Sequence, residues 1–309
     1  MPVRFNSPVS TPNALAIVTG ASGFVGRHVV AATTGNVFPV ALREGDWRER
    51  MAQAPWRNAT VYHLAARVHQ HGVDEGSYER DNVDKTISLA EAAAAGGARR
   101  LVFLSTIKVN GEETIDRPFR SADDPSPMDA YSRSKWKAEQ ALAEIMHRTG
   151  FSVTIVRSPL VIGAGAVGNL RALMRLADGP WPLPFAAIGN RRTFICVEDL
   201  AQLLCACGDS PNASGKTYLA GDARALSTAE LIIALRRALQ RPQRLFAMNR
   251  RVLESMAALV GQSHRMHRLT RSLEIDASET ARELSWQPLV GIEKGIERMA
   301  LAYRQAVLR

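Results

Sequence analysis

Short apolar runs alternate with amphipathic stretches through the first half of the chain. Five of these runs, at residues 15–19, 37–42, 60–64, 101–105 and 153–156, are nearly continuous in apolar character. That pattern suits strands buried on both faces of a parallel sheet. Between them, residues 25–32, 83–95 and 134–147 read as helices, each closing near a Gly or Asn, and Gly150 stands where the last one needs a cap. Strand and helix in this rhythm predict an α/β fold, a Rossmann-type doubly wound parallel sheet.

The texture changes after Val156. Gly and Pro gather in GAGAVGN and DGPWPLPF, and a long helical stretch begins at Ser227. A short apolar run at 193–197 followed by a helical pattern at 198–207 reads as one more strand and helix rejoining the first unit. The division expected is a sheet domain over residues 1–162, with 190–220 returning to it. Residues 163–189 and 221–309 would form a smaller, mostly helical C-terminal substrate lobe over the carboxyl edge of the sheet. No repeat or low-complexity tract interrupts this plan.

Composition narrows the picture a little. With 309 residues and 46% hydrophobic content the chain can bury a full core. Cys196, Cys205 and Cys207 have no partners at metal-ligand spacing, so neither a disulfide framework nor a metal site is expected. The first thirteen residues lack the apolar run of a leader, and no segment approaches the ~18 apolar residues of a membrane span. A soluble, cytoplasmic protein without stable membrane insertion is therefore expected, with no nucleic-acid partner and with a homodimer left open. The formal charge of +9 is unevenly spread, since residues 236–271 hold nine arginines against the single acid Glu254. This stretch reads as a solvated helix surface, a diphosphate-binding wall, or an amphipathic face for anionic lipid. Phe246, Met248 and Met256 within it are expected to be core packing.

The first chemistry lies in ALAIVTGASGFVGRHVV, where a strand enters glycines spaced three apart and then a helix. Gly20 would permit the tight turn, Gly23 the approach of a pyrophosphate, and Gly26 the close packing of helix on strand. The helix N-terminus then faces negative charge. These features predict a nicotinamide-type dinucleotide site. The second strand ends in Arg43, a residue suited to a ribose 2′-phosphate, which favours NADP(H) over NAD(H), although Asp46 stands only three residues on.

The second candidate is Tyr131 with Lys135, four apart at the start of a helical pattern and so on one face. An ammonium beside a phenol lowers its pKa from ~10, letting it exchange a proton with a carbinol or carbonyl oxygen. Ser105 and Thr106 add hydroxyls at the end of the fourth apolar run.

The order of glycine turn, hydroxyl-bearing strand end, and Tyr-x-x-x-Lys resembles the extended short-chain dehydrogenase/reductase family, the NAD-dependent epimerases and dehydratases. The likeness runs through TGASGFVG, HLAA, NVDKT, FLSTIKVNG, YSRSK, VRSPLVIG and RELSWQP, almost the whole chain. It implies Tyr131 as general acid/base, Lys135 as the modifier of its pKa and a ribose ligand, and Thr106, rather than Ser105, as the hydroxyl that orients the substrate. It extends the cofactor contacts to Gly20, Ser22, Gly23, Phe24, Val25, Gly26, Arg43, Leu64, Ala65, Ala66 and Asn82. Within the family, LSTIKVNGE and NRRTFICVEDL are similar to the UDP-hexose 4-epimerase and UDP-4-keto-6-deoxy-N-acetylhexosamine 4-ketoreductase branch of surface-polysaccharide synthesis. That implies a UDP-sugar substrate, with Asn169, Arg192 and Arg268 as ligands and Arg191 as the substitute for Arg192. Arg43 tilts the expectation to NADPH-dependent 4-keto reduction, with 4-epimerisation on tightly bound NAD as the alternative. A cofactor-sensing regulator without turnover is disfavoured by the intact Thr106, Tyr131 and Lys135 set. Two departures from the family stand out. Only about seventeen residues separate Arg43 from the third apolar run, where the family has a further edge strand, and Ser158 and Ile162 replace its usual Pro and Tyr.

Overall fold

The computed structural model describes residues 15–43, 45–68 and 74–307. The leader-free reading of the first residues falls outside these. Six parallel strands, β1 (Leu15–Thr19), β2 (Asn36–Val40), β3 (Thr60–His63), β4 (Arg100–Thr106), β5 (Val153–Ser158) and a later one, form the main sheet. Helix α1 (Phe24–Ala32) connects β1 to β2, and α2 (Trp47–Ala52) follows β2. Next come α3 (Glu75–Tyr78), a π-helical turn Glu79–Asp84, and α4 (Lys85–Ala95), which leads to β4. The long α5 (Ala130–Thr149) returns the chain to β5. Its start is fixed by a capping box, in which Asp129 accepts from the Ser132 N–H and the Ser132 hydroxyl accepts from the Asp129 N–H.

Beyond β5 the short β6 (Leu160–Ile162) precedes α6 (Asn169–Asp178) and pairs in parallel with β7 (Phe194–Cys196). The run expected near 193–197 thus forms a separate two-stranded sheet instead of extending the main one. Its helix α7 (Val197–Asp209) packs beside α1 on one face of the main sheet. The sixth main strand is β8 (Thr217–Leu219), paired with β5, and the order is β2-β1-β3-β4-β5-β8. Only a helix occupies the gap between β2 and β3, so β2 is an edge and the further edge strand is absent among the described residues.

The remainder is helical: α8 (Thr228–Ala238), α9 (Arg250–Leu259), α10 (Ser263–Thr270), α11 (Ser278–Leu284) and α12 (Gly291–Val307). Ser227 and Glu230 form the capping box that starts α8. Two apolar cores flank the sheet. Phe103, Leu89 and Leu142 mark the face under α4 and α5, and Val102, Leu200 and Leu204 the face under α7. A third core, with Leu170, Ile232, Leu253 and Ile296, joins α6, α8, α9 and α12. Because the strands of the main sheet are parallel, the segments after β1, β3, β4 and β5 emerge along one edge. In doubly wound sheets ligands sit in the crevice at that edge.

Candidate active site

The glycine turn follows β1 directly. Gly20 has φ of +68°, and the Gly23 N–H donates to its carbonyl at 2.9 Å. A Cβ on Gly26 would lie 2.0 Å from that same carbonyl oxygen, so no side chain fits there. Gly20 itself abuts the segment after β3, where a Cβ would come within 2.9 Å of the Ala65 nitrogen. Ser22 and Gly23 are exposed, and Phe24 and Val25 begin α1 half-buried. A dinucleotide pyrophosphate needs this kind of backbone cradle at a helix start, and the residues present fit it.

The HLAA segment is held to the turn by a continuous buried chain. The Leu64 and Ala65 N–H groups donate to the Thr19 hydroxyl at 3.1 and 3.2 Å. Thr19 lies 2.7 Å from His63 Nδ1, and His63 Nε2 lies 2.8 Å from the Thr86 hydroxyl. Thr86 donates its own proton to the Asn82 carbonyl at 2.7 Å, so it accepts from His63. This fixes the proton on Nε2 and leaves Nδ1 to accept from Thr19. Burial, helped by the charge of Lys135, lowers the His63 pKa to about 3, and the ring stays neutral. The amide of Asn82 accepts from the Arg67 N–H at 2.7 Å and donates to the Arg67 carbonyl and the Ser134 hydroxyl. It ties the segment after β3 to α5, and Leu64, Ala65 and Ala66 lie half-buried between. His63, Thr19 and Thr86 were missed in the sequence reading; their signal was polar residues at the ends of otherwise apolar runs.

Thr106 ends β4, and Tyr131 and Lys135 lie one turn apart on α5, which packs against that strand. The Tyr131 ring is half-buried near Tyr78, centroids 6.5 Å apart, and its hydroxyl has no partner among the described residues. Burial first, then the charge of Asp129, pushes its pKa above the ordinary phenol range. Lys135 is buried with its Nζ 3.8 Å from the centre of the Phe103 ring. Burial brings its pKa down to about 7, against the raising effect of Glu139.

The two neighbouring hydroxyls part company. Ser105 donates to Glu139, whose carboxylate is clamped by Arg157 at 2.6 Å in a buried ion pair; Arg157 also donates to Asn110 at 3.0 Å. The Thr106 oxygen accepts only from the Lys108 N–H, at 3.3 Å, among the described residues. Lys108 then bridges Asp129 at 2.6 Å and Glu112 at 2.9 Å. Burial opposes ionisation of Asp129, but the bond to Lys108 and the Ser132 contact outweigh it and hold the carboxyl at about 2.

Glu112 faces Arg192 electrostatically, which connects this corner to the helical part of the chain. Arg192 donates to the Arg271 carbonyl at 3.0 Å, and its pKa falls to about 10 through burial and then the like charge of Arg268. The Nε atoms of Arg268 and Arg271 are buried and lack hydrogen-bond partners among the described residues. By contrast Arg191 is exposed and paired with Glu274 at 2.8 Å. Asn169 is exposed at the first residue of α6. Arg43 is exposed past the end of β2 and makes no ion pair among the described residues. Phe246 and Met256, expected in the core, are exposed instead, Met256 because α9 turns Leu253 and Ala257 inward; Met248 does pack against the helical core.

A match to the NAD dependent epimerase/dehydratase family spans residues 16–221. The chain belongs to this family. It is 33% identical over 317 aligned residues to a UDP-glucose 4-epimerase of Vibrio cholerae, covering 94% of this chain and 95% of that protein. The fold is shared with a UDP-glucuronic acid 4-epimerase from Bacillus cereus solved with NAD (TM-score 0.75, 18% identity, 94% of this chain and 99% of that one). It is also shared with RMD from Pseudomonas aeruginosa solved with NADPH (TM-score 0.76, 20% identity, 95% and 100%). As an epimerase/dehydratase family member the chain is an oxidoreductase-type enzyme.

Proposed function

We propose that the protein is a UDP-hexose 4-epimerase, inverting C4 through a transient 4-ketone. The observation that carries the nucleotide-sugar reading is the set of buried, unpartnered Nε donors on Arg268 and Arg271, with Arg192 held on the Arg271 carbonyl and lowered in pKa by burial and the like charge of Arg268. Guanidiniums that disfavour one another's charge are relieved by an anion, and a diphosphate suits their planar forks. Arg192, Arg268 and the backbone around Arg271 would hold the diphosphate, and Asn169 would reach the nucleotide from α6. The whole-length likeness to the Vibrio cholerae epimerase supports a uridine nucleotide and C4 chemistry.

Gly20, Ser22, Gly23 and the Phe24–Gly26 segment would hold the cofactor pyrophosphate, with Leu64, Ala65 and Ala66 against its other side and Asn82 behind them. When bound, the nicotinamide dinucleotide supplies the hydride acceptor and donor. The chain's own residues handle the proton. The Tyr131 phenolate would take it from the C4 hydroxyl as the ketone forms, becoming the phenol, and would return it when the opposite face is reduced. Lys135 holds positive charge beside the phenol oxygen, and the Thr106 hydroxyl donates to the C4 oxygen. The returned proton leaves Tyr131 as it began, so epimerisation needs no net reductant.

A second reading, NADPH-dependent reduction of a UDP-4-keto-6-deoxy-N-acetylhexosamine, is supported by Arg43. Its guanidinium is exposed at the β2 edge without an acidic partner among the described residues, as a 2′-phosphate ligand requires. One assay tests the nucleotide-sugar site that both readings share, and a second separates the readings. Arg192→Met and Arg268→Met should each weaken UDP-glucose binding by about tenfold or more in calorimetry, as lost charge-assisted bonds do; unchanged affinity would remove the diphosphate assignment. Steady consumption of NADPH with a 4-keto sugar, abolished by Arg43→Asp in favour of NADH, would establish the reductase instead.

A further inference from the structure

The outer side of α9 carries an apolar stripe that the proposed chemistry does not use. Val252, Met256 and Leu259 fall within about 60° of one another at 3.6 residues per turn. They are 47%, 54% and 87% exposed, and Val260 continues the line. Leu253 and Ala257 on the inner side bury against the helical core. Phe246 lies just before α9 on a strap that pairs with residues 183–186, beside Trp181, which is 76% exposed. Arg244 on the strap, Arg251 beside Val252 on α9 and Arg265 on α10, which packs on α9, are exposed and without an ion pair among the described residues. The sole acid of residues 236–271, Glu254, is already engaged by Arg250 and Thr270. Other arginines of the stretch are engaged elsewhere or lie off this face: Arg236 is buried and donates to the Trp181, Pro242 and Arg244 carbonyls, Arg241 pairs with Asp178, Arg271 pairs with Glu113, and Arg237 is exposed on α8.

We propose that this face docks on an anionic phospholipid surface, with Leu259, Met256, Val252 and Trp181 entering the interface and Arg244, Arg251 and Arg265 meeting the headgroups. Single exposed apolar residues are ordinary on any surface. An apolar stripe flanked by an aromatic residue and uncompensated arginines has the complementarity of an interfacial helix. A second copy of the chain is the poorer occupant, because a symmetric contact would set the same unpaired arginines against each other. Nucleic acid would satisfy the arginines but leave Leu259 and Met256 facing water or phosphate. The inference is independent of which C4 reaction the protein performs.

The test is co-sedimentation of the full chain with vesicles of phosphatidylcholine, alone or mixed with phosphatidylglycerol. Binding is expected to the mixed vesicles alone. Met256→Asp/Leu259→Asp should lower it by about tenfold or more, while Leu289→Asp/Leu301→Asp, an equal charge change at exposed positions elsewhere, should lower it far less. Circular dichroism on each variant confirms that the fold persists. If a double variant unfolds, Met256→Ser/Leu259→Ser gives the same comparison without added charge. No binding to the mixed vesicles, or equal loss in both double variants, overturns the proposal. So does a dimer in sedimentation velocity that the α9 variant abolishes, or equal retention of the α9 variant on vesicles.

Discussion

At the scale of single residues, burial pushes the Tyr131 phenol up and brings the Lys135 amine down to about 7, so in the dinucleotide-free protein burial works against the phenolate and the ammonium that proton transfer uses. The lowered folded pKa of Lys135 has a sign that can be checked. Between about 7 and the unfolded value of ~10.4 the unfolded chain binds more protons, so stability rises with pH across that window. Thermal melts of the dinucleotide-free protein at pH 7 and 9 should show that rise, and Lys135→Met should reduce it; parallel behaviour would contradict the buried amine. Tyr131→Phe removes the exchangeable proton while leaving the ring, and should lower turnover by about 10²–10⁴-fold with dinucleotide affinity little changed. Normal turnover in that variant would refute proton transfer by Tyr131. The sequence left two residue choices open that side-chain direction decides. Ser105 turns into the Glu139–Arg157 pair while Thr106 does not, and Arg191 is tied to Glu274 at the surface while Arg192 faces Arg268. Neither direction is visible in spacing, because adjacent strand residues look alike until the partner across the sheet is known.

At the scale of elements, the ends of β1 and β3 are joined to α4 and α5 through Thr19, His63, Thr86 and Asn82. Because His63 stays neutral in the fold to about pH 3 while an unfolded histidine protonates near ~6.5, stability is complete above that value and is lost as pH falls toward 3. His63→Gln should lower the overall stability and flatten this acid limb in urea titrations between pH 7 and 4. An undiminished slope would place the acid sensitivity elsewhere. The Arg157–Glu139 pair makes a second element-level claim. Removing one partner leaves a buried charge alone, so Arg157→Met should cost about 3–5 kcal/mol in urea unfolding, far more than an exposed pair such as Arg148–Glu91. Strands β1, β3, β4 and β5 were legible because two-sided burial leaves continuous apolar runs. The three-residue β6 and β8 were not, since so short a run carries no period. The π-helical turn before α4 also hid, because it keeps helical composition while shifting the start of the α-helix to Lys85.

At the scale of the molecule, a parallel sheet with one carboxyl edge brings residues from distant sequence together, and the proposed function puts an anion site in the basic helical part beside them. The motifs made the sheet edge readable, since the glycine turn and the Tyr-x-x-x-Lys pair each carry their geometry in local spacing. The basic stretch was ambiguous because charge says nothing about direction. Folding separates it into buried Arg236, inward Arg268 and Arg271, and outward Arg244, Arg251 and Arg265. The central claim is that this architecture inverts a UDP-sugar at C4 without net redox change. The direct measurement is proton NMR of UDP-glucose and UDP-N-acetylglucosamine incubated with the purified protein and NAD, following the anomeric signals. The account predicts growth of the C4 epimer from at least one of them to a fixed ratio, with no accumulation of reduced cofactor and none of the change in Tyr131→Phe. Absence of either epimer under conditions where the protein oxidises NADPH with a 4-keto sugar would contradict it.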